Sequence, residues 1–371
     1  MFLTGTGCFL YKKNCVFLLT PEAHVLERLG SFRIIPWQWG DSVVATMQQP
    51  PDRPIFAVTN RLPAKAVEAL AAAGEVRIDE REDALPREDL LKLVAGADAV
   101  LTLLHDRVDE ELFAAAGSRL RCVANVAVGY DNIDLEAAAR HGVAVTNTPG
   151  VLDDATADLT MALILATTRR VAEGDRLIRS GRPWSWGMHF MLGSSLQGKR
   201  LGIVGLGGIG ARVAERARAF GMEIAYHSRR PSPAAAQLGA ERMPLDRLLA
   251  EADVLSLHCP LTPETHHLIG AAELGAMKPS AVLVNAARGP VVDEQALAGA
   301  LRAGSIAAAG LDVYEREPRV EPGLLDLDNV VLVPHLGSAT VETRTAMAEL
   351  AARNAISVLA GQGPLTPVAS Q

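Results

Sequence analysis

The sequence predicts an α/β protein of two doubly wound parallel-sheet domains, with a dinucleotide-binding domain in the middle of the chain. Three observations predict it. From Ile55 onward, strand-like apolar runs alternate with helical ones, the pattern of parallel strands joined by crossover helices. A long helical stretch interrupts the alternation, which restarts at Lys199, so there are two series. The second series opens on LGIVGLGGIG at 201–210, where an apolar run breaks into glycines and leads into ARVAERARAF, a stretch with helical polarity.

The elements follow in order. IFAVT, PAKAVEALAAAG, EVRID, REDLLKLVAG, DAVLTLL, RCVANV, LEAAARHG and VAVTN make the first series. About 153–179 reads as one long helix connecting the domains. The strand-like run that opens LGIVGLGGIG leads into the glycine turn, which is a Rossmann fingerprint. Gly205 allows the tight turn, Gly207 lets the backbone approach a pyrophosphate, and Gly210 lets the helix pack closely on the strand. Leu206, Gly208 and Ile209 complete the expected contact loop, and the first helical turn offers its unpaired N–H groups to the phosphates. EIAYH, ADVLSLH, AVLVNAA, IAAAGLDV and NVVLVP continue the second series. An amphipathic helix spans about 338–360, with no packing partner specified by its pattern. Residues 361–371 carry too little apolar surface to require order.

The 371 residues suffice for two domains, each with its own core. A formal charge of −7 without long Lys/Arg blocks argues against a nucleic-acid footprint, and no segment reads as a membrane span. Four cysteines, Cys8, Cys15, Cys122 and Cys259, show neither metal spacing nor the density of a disulfide scaffold, which points to a reducing cytoplasm. The first 46 residues stand apart, holding seven of the sixteen aromatics and two of the four cysteines. Tyr11, Lys12, Lys13 and Asn14 break the apolar stretch, so it suits neither a signal peptide nor a span. Met47 is the expected natural start, with residues 1–52 an extension outside the fold.

After the second strand of the central domain, a dinucleotide fold that takes NAD normally carries an acidic residue for the ribose hydroxyls. Here Ser228, Arg229 and Arg230 stand instead. Two guanidiniums suit a 2′-phosphate, which predicts NADP(H) as the preferred cofactor with NAD(H) as the lesser alternative. The competing reading is that the arginines solvate a loop.

Arg288 in NAARGPVVDE, Glu317 in GLDVYEREP and His335 in PHLGS stand beside expected carboxyl ends of strands, where ligands bind in such sheets. With VGYDNID at 128–134, VLDDATADLTMALILATTRR at 151–170 and LHCPLTPETHHLI at 257–269, these stretches make the chain resemble the D-isomer-specific 2-hydroxyacid dehydrogenases, most closely the glyoxylate/hydroxypyruvate reductases. The resemblance covers about residues 55–360. It implies a flavodoxin-like substrate domain, 53–151 with 337–371, into which the dinucleotide-binding domain, 152–336, is inserted. It also implies NAD(P)-dependent reduction of a small 2-keto acid to the 2-hydroxy acid.

Residue by residue, the resemblance assigns Arg288, Glu317 and His335 to catalysis. A guanidinium matches a planar carboxylate and can polarise the neighbouring carbonyl. A histidine can give a proton near neutral pH, and Glu317 would fix its ring and favour the charged form. Glu315 competes locally, but the resemblance favours the carboxylate immediately before proline. Singly, each residue also fits a bland role: a surface arginine, one of several carboxylates, a satisfied turn histidine.

Further implied cofactor contacts are Cys259, Pro260, Ala286, Ala287, Gly337 and Asp312, the last to the nicotinamide carboxamide, although Asp312 could instead cap local backbone. Val128 and Gly129 would offer N–H groups to the substrate carboxylate, unless they form a plain turn. The loop NVAVGYD has no Lys or Arg before its glycine, which favours an unphosphorylated acid. His258, His266 and His267 read as a cofactor-lining strand end followed by two solvent-facing histidines, not a metal site. Trp184, Trp186 and Met188 suggest a loop reaching across a homodimer, or ordinary packing. Competing functions are a broader 2-keto acid reductase, a phosphoglycerate or formate dehydrogenase, and, from another class, a dinucleotide-sensing regulator.

Overall fold

The parallel alternation is realised as two separate sheets in the computed structural model, which describes residues 53–81 and 83–368 together with the backbone of four strands among residues 8–48. Those four, β1 (Cys8–Tyr11), β2 (Asn14–Leu19), β3 (Arg33–Trp39) and β4 (Ser42–Gln48), pair antiparallel in the order β1-β2-β4-β3 and share no ladder with the other sheets. The sequence places these residues in an extension outside the fold and specifies no strands for them. Aromatic and β-branched runs such as Val16-Phe17 and Val43-Val44 nonetheless suit strands. Met47 falls within β4, and the side chains of this region lie outside the described residues.

The first parallel sheet comprises β5 (Ile55–Val58), β6 (Glu75–Ile78), β7 (Ala99–Thr102), β8 (Cys122–Asn125) and β9 (Ala144–Thr146), in the order β6-β5-β7-β8-β9. This is the flavodoxin-like order. Every residue of β7 and β8 is buried, as expected for central strands covered on both faces. The second sheet comprises β10 (Arg200–Val204), β11 (Glu223–His227), β12 (Glu241–Arg242), β13 (Val254–Leu257), β14 (Val282–Asn285), β15 (Ala308–Leu311) and β16 (Val330–Leu332). Its order, β12-β11-β10-β13-β14-β15-β16, reverses between β10 and β13. That reversal opens the crevice in which doubly wound sheets bind ligands.

The expected single connector is two helices, Asp153–Thr168 and Val171–Arg179. Arg170 breaks it by taking φ 54° while its guanidinium bonds Glu173 at 2.7 Å. The first helix packs Met161, Leu163 and Ile164 against Leu201, Ile203 and Val213, as a layer of the second sheet. The second helix buries none of its residues.

Helix Val341–Leu359, capped by Thr340, lays Met347, Ala348, Ala351, Ala352 and Ala355 on Phe56, Val58, Leu101 and Ala124 of the first sheet. Residues 361–368 beyond it follow a defined path, which their low apolar content alone does not require. Hydrogen bonds hold them together with half-buried Val368, which packs on the core of the first domain: Val368 N–H donates to the Val145 carbonyl (2.9 Å), and Leu365 and Thr366 N–H donate to buried Asn354 Oδ1. This covers the edge of β9, which would otherwise be unpaired.

Candidate active site

The glycine turn follows β10 at the crevice. Gly205 has φ +95°, and a Cβ there would lie 2.8 Å from Cys259 N and the His258 carbonyl, so only glycine lets the turn pass the end of β13. A Cβ on Gly210 would sit 2.3 Å from the Gly205 carbonyl oxygen, whereas one on Gly207 would meet no protein atom within 4 Å. The helix Gly208–Ala219 therefore seats tightly on the strand while its N-terminal side stays open, which fits a dinucleotide pyrophosphate. The Asp153 carboxylate lies against Gly208, close to that turn, and burial pushes its carboxyl above the ordinary value.

Beyond β11, Arg229 and Arg230 are exposed, and the Ser228 hydroxyl donates to the Arg230 carbonyl. Arg242, unremarked in the sequence, shapes this loop by donating to the Ser228 and Arg229 carbonyls at 2.9 Å. Ser232 ties it to the glycine turn through the Leu206 carbonyl (2.7 Å). One carboxylate comes near: Glu264 is held low by the Thr262 hydroxyl, its own backbone and the Arg229 charge.

Three further strand-end loops meet across the crevice. His335, past β16, sits in the left-handed region at φ 53°, its N–H donating to the Asp312 carbonyl (2.9 Å). Strain of this kind in a non-glycine residue persists where the surroundings enforce it. Asp312 enforces it, since its buried carboxylate accepts from Leu336 N (2.5 Å) and Gly337 N (2.9 Å). Burial raises that carboxyl despite these bonds. The local-cap reading of Asp312 is thus realised in the geometry.

Glu317 meets the ring of His335: Nδ1 and Oε2 are 2.9 Å apart, and Oε1 accepts from Tyr314 N at 3.0 Å. Burial would raise the Glu317 carboxyl, but the His335 hydrogen bond and charge, Tyr314 and Arg288 outweigh it and hold the group below the usual carboxylate range. Glu315 points elsewhere, to His267 Nε2 at 2.9 Å. His267 is accordingly paired, where the sequence suggested only a solvent-facing ring.

Arg288 follows β14, where buried Asn285 shapes the turn by accepting from Ala287 N (3.0 Å) and donating to the Arg288 carbonyl (2.9 Å). The guanidinium reaches the other domain. Its Nε donates to Asp131 Oδ1 (2.9 Å) and its Nη1 to the Ala287 carbonyl (2.8 Å). A Cβ on Gly129 would lie 1.6 Å from Nη2, so glycine is needed for this approach. Asp131 and Asn285 are support residues that the sequence reading missed. Each acts through a fold-dependent contact with no motif of its own.

Val128 lies beside Gly129 in the same loop. Ala286, Ala287 and Cys259 are buried at the ends of β14 and β13, with Pro260 exposed. Burial pushes the Cys259 thiol up to about 11, so it is protonated at neutral pH. His258 Nε2 bonds Ser256 Oγ (2.8 Å), and burial lowers the ring to about 4, keeping it neutral. Trp184 stacks on Phe190 (centroids 5.9 Å apart), while Trp186 and Met188 are 77% and 74% exposed.

A family model described as D-isomer specific 2-hydroxyacid dehydrogenase, NAD binding domain, matches residues 161–337. Glyoxylate reductases of Pyrococcus furiosus and Aeropyrum pernix are each 51% identical to this chain, covering 85% and 84% of it and 95% of their own length. A solved glyoxylate reductase from Paecilomyes thermophila is 37% identical with a TM-score of 0.78, covering 86% of this chain and 99% of its own. An NADPH-dependent glyoxylate/hydroxypyruvate reductase from Sinorhizobium meliloti, solved with NADP and malonate, is 37% identical with a TM-score of 0.74, covering 85% and 97%. Among the described residues no helix is long and apolar enough to cross a membrane.

Proposed function

The chain belongs to the D-isomer-specific 2-hydroxyacid dehydrogenases, and from that premise we propose that it reduces glyoxylate and hydroxypyruvate to their 2-hydroxy acids, with NADP(H) preferred over NAD(H). The observation that carries this reading is the His335–Glu317 pair at 2.9 Å facing the same crevice as Arg288. The relatives of known name reduce glyoxylate. A regulator that only senses a dinucleotide would have no use for a proton donor there.

The glycine turn and the Ser228–Arg230 loop would hold the cofactor, with Cys259, Pro260, Ala286, Ala287, Asp312 and Gly337 along its path. When bound, the nicotinamide supplies the hydride. Arg288, held by Asp131 and the Ala287 carbonyl, keeps Nη2 for the substrate, where a guanidinium can bind the carboxylate and polarise the keto oxygen. His335 has Nδ1 committed to Glu317, which leaves Nε2 to give its proton to the oxygen as the carbonyl becomes a hydroxyl. The Glu317 carboxylate stabilises the imidazolium before transfer. In the oxidative direction neutral His335 takes the hydroxyl proton back. Initial rates with NADPH and NADH across glyoxylate, hydroxypyruvate, pyruvate and 3-phosphohydroxypyruvate test the reading; a preference for the phosphorylated acid, or no turnover of glyoxylate, would overturn it.

Cofactor choice makes a separate prediction. Replacing Arg229 and Arg230 together with neutral residues should raise the KM for NADPH at least about tenfold, the scale of one lost hydrogen bond to a charged group at about 1.5–3 kcal/mol, and barely move that for NADH. An unchanged NADPH preference would refute the assignment. Trp186, Met188, Ile178 and Leu192 are all exposed, a kind of surface that marks a contact site. We assign it to the contact between two copies of the chain, which sedimentation should report as a dimer.

A further inference from the structure

The loop offered to the substrate carboxylate has no regular structure of its own, and its peptide planes are set from behind. The Ala127 carbonyl accepts from Thr148 N–H (2.8 Å), and the Val128 carbonyl accepts from Asn147 Nδ2 (2.8 Å). In a trans peptide the N–H points opposite to the carbonyl. Pinning these two carbonyls on the β9 side therefore aims the N–H groups of Val128 and Gly129 away from it, and among the described residues neither N–H has a hydrogen-bond partner. Two successive free N–H groups make an anion-binding concavity, and Arg288 Nη2 lies against Gly129 beside it.

Asn147 is itself held by the end of the chain. Its N–H donates to the Thr366 carbonyl (3.3 Å), and the Thr366 hydroxyl donates to the Asn147 carbonyl (2.6 Å). Fully buried Asn354 fixes Thr366 in turn, accepting from its N–H (3.0 Å) and donating to its Oγ1 (2.8 Å). A continuous hydrogen-bond path thus runs from the last helix, through the tail, to the loop.

We propose that Asn147 is a positioning residue for the substrate carboxylate, and that the C-terminal tail belongs to the substrate site because Thr366 and Asn354 hold Asn147 in place. The proposal rests on the reading of Val128 and Gly129 as carboxylate-binding groups. Its signature is weaker carboxylate binding with little change at the hydride or proton step.

The test uses the full chain, with KM for glyoxylate, the inhibition constant of oxalate as a carboxylate probe, kcat, and NADPH affinity by fluorescence. Asn147→Leu should raise the KM and the oxalate inhibition constant about tenfold, the scale of one misaimed hydrogen bond to a charged group, with kcat and NADPH affinity within about twofold. Thr366→Val, in a half-buried tail position, should raise both several-fold with thermal unfolding checked alongside, and Thr366→Ser should restore them. Wild-type KM and oxalate inhibition in a folded Asn147→Leu, or in Thr366→Val, would overturn the proposal, as would a loss confined to kcat. A wild-type enzyme that turns over glyoxylate but is not inhibited by oxalate would instead remove the carboxylate reading of the loop, and the proposal with it.

Discussion

His335→Ala should lower kcat for glyoxylate reduction by about 10²–10⁴, the contribution of a positioned general acid. The ring is the only titratable side chain on the PHLGS turn, and its placement has a visible cost in the left-handed backbone at φ 53°. Asp312 holds that backbone through Leu336 and Gly337, so the turn should survive loss of the imidazole. NADPH affinity should accordingly stay near wild type. Stopped-flow single turnover separates the two quantities; a reduction rate within threefold of wild type would reject His335 as the proton donor.

Arg288→Lys is the second large effect, despite conserving charge. The guanidinium serves Asp131 through Nε and the Ala287 carbonyl through Nη1 while presenting Nη2 beside Gly129. A lysine ammonium is a point charge on a flexible stem and cannot hold a planar fork between those partners and a substrate. With at least one charged hydrogen bond lost and another misaligned, kcat/KM for glyoxylate should fall about 10²-fold. Steady-state kinetics check this, and a lysine variant within twofold of wild type would show that charge alone suffices.

The two-sheet architecture was legible because it rests on repeating local signals. Alternating apolar runs give the parallel strands, and glycines at 205, 207 and 210 fall between a strand and a helix, where only one supersecondary unit uses them. Position-specific hydrogen bonding was not legible. Nothing in VLDDATADLTMALILATTRR announces that Arg170 turns left-handed to meet Glu173, and nothing in GQGPLTPVASQ announces that Val368 finds a partner on β9 and Thr366 one at Asn147, just past it. A low apolar content argues for a loose tail only if burial is the sole means of fixing one.

The site divides in the same way. Arg288, Glu317 and His335 stand in short motifs of strong resemblance, and the choice of Glu317 over Glu315 needed that resemblance, since both carboxylates lie within two residues of each other. The fold gives them different partners, His335 for Glu317 and His267 for Glu315. Asp131, Asn285 and Asn147 were invisible because their value lies in which distant segment they meet. Asp131 and Arg288 are 157 positions apart in sequence.

The central claim is that Glu317 acts on the reaction by stabilising protonated His335. The pH profile of kcat/KM for glyoxylate reduction in Glu317→Gln tests it most directly. In the wild type, the Glu317 carboxyl lies below its usual range, so it is charged throughout the neutral region and supports the imidazolium there. Glu317→Gln removes that charge while keeping the shape, and with it the support for the imidazolium. The account predicts that the limb on which activity falls with rising pH moves to lower pH in the variant, because the opposite charge hydrogen-bonded to the ring is gone. A variant whose profile overlays that of the wild type would contradict it.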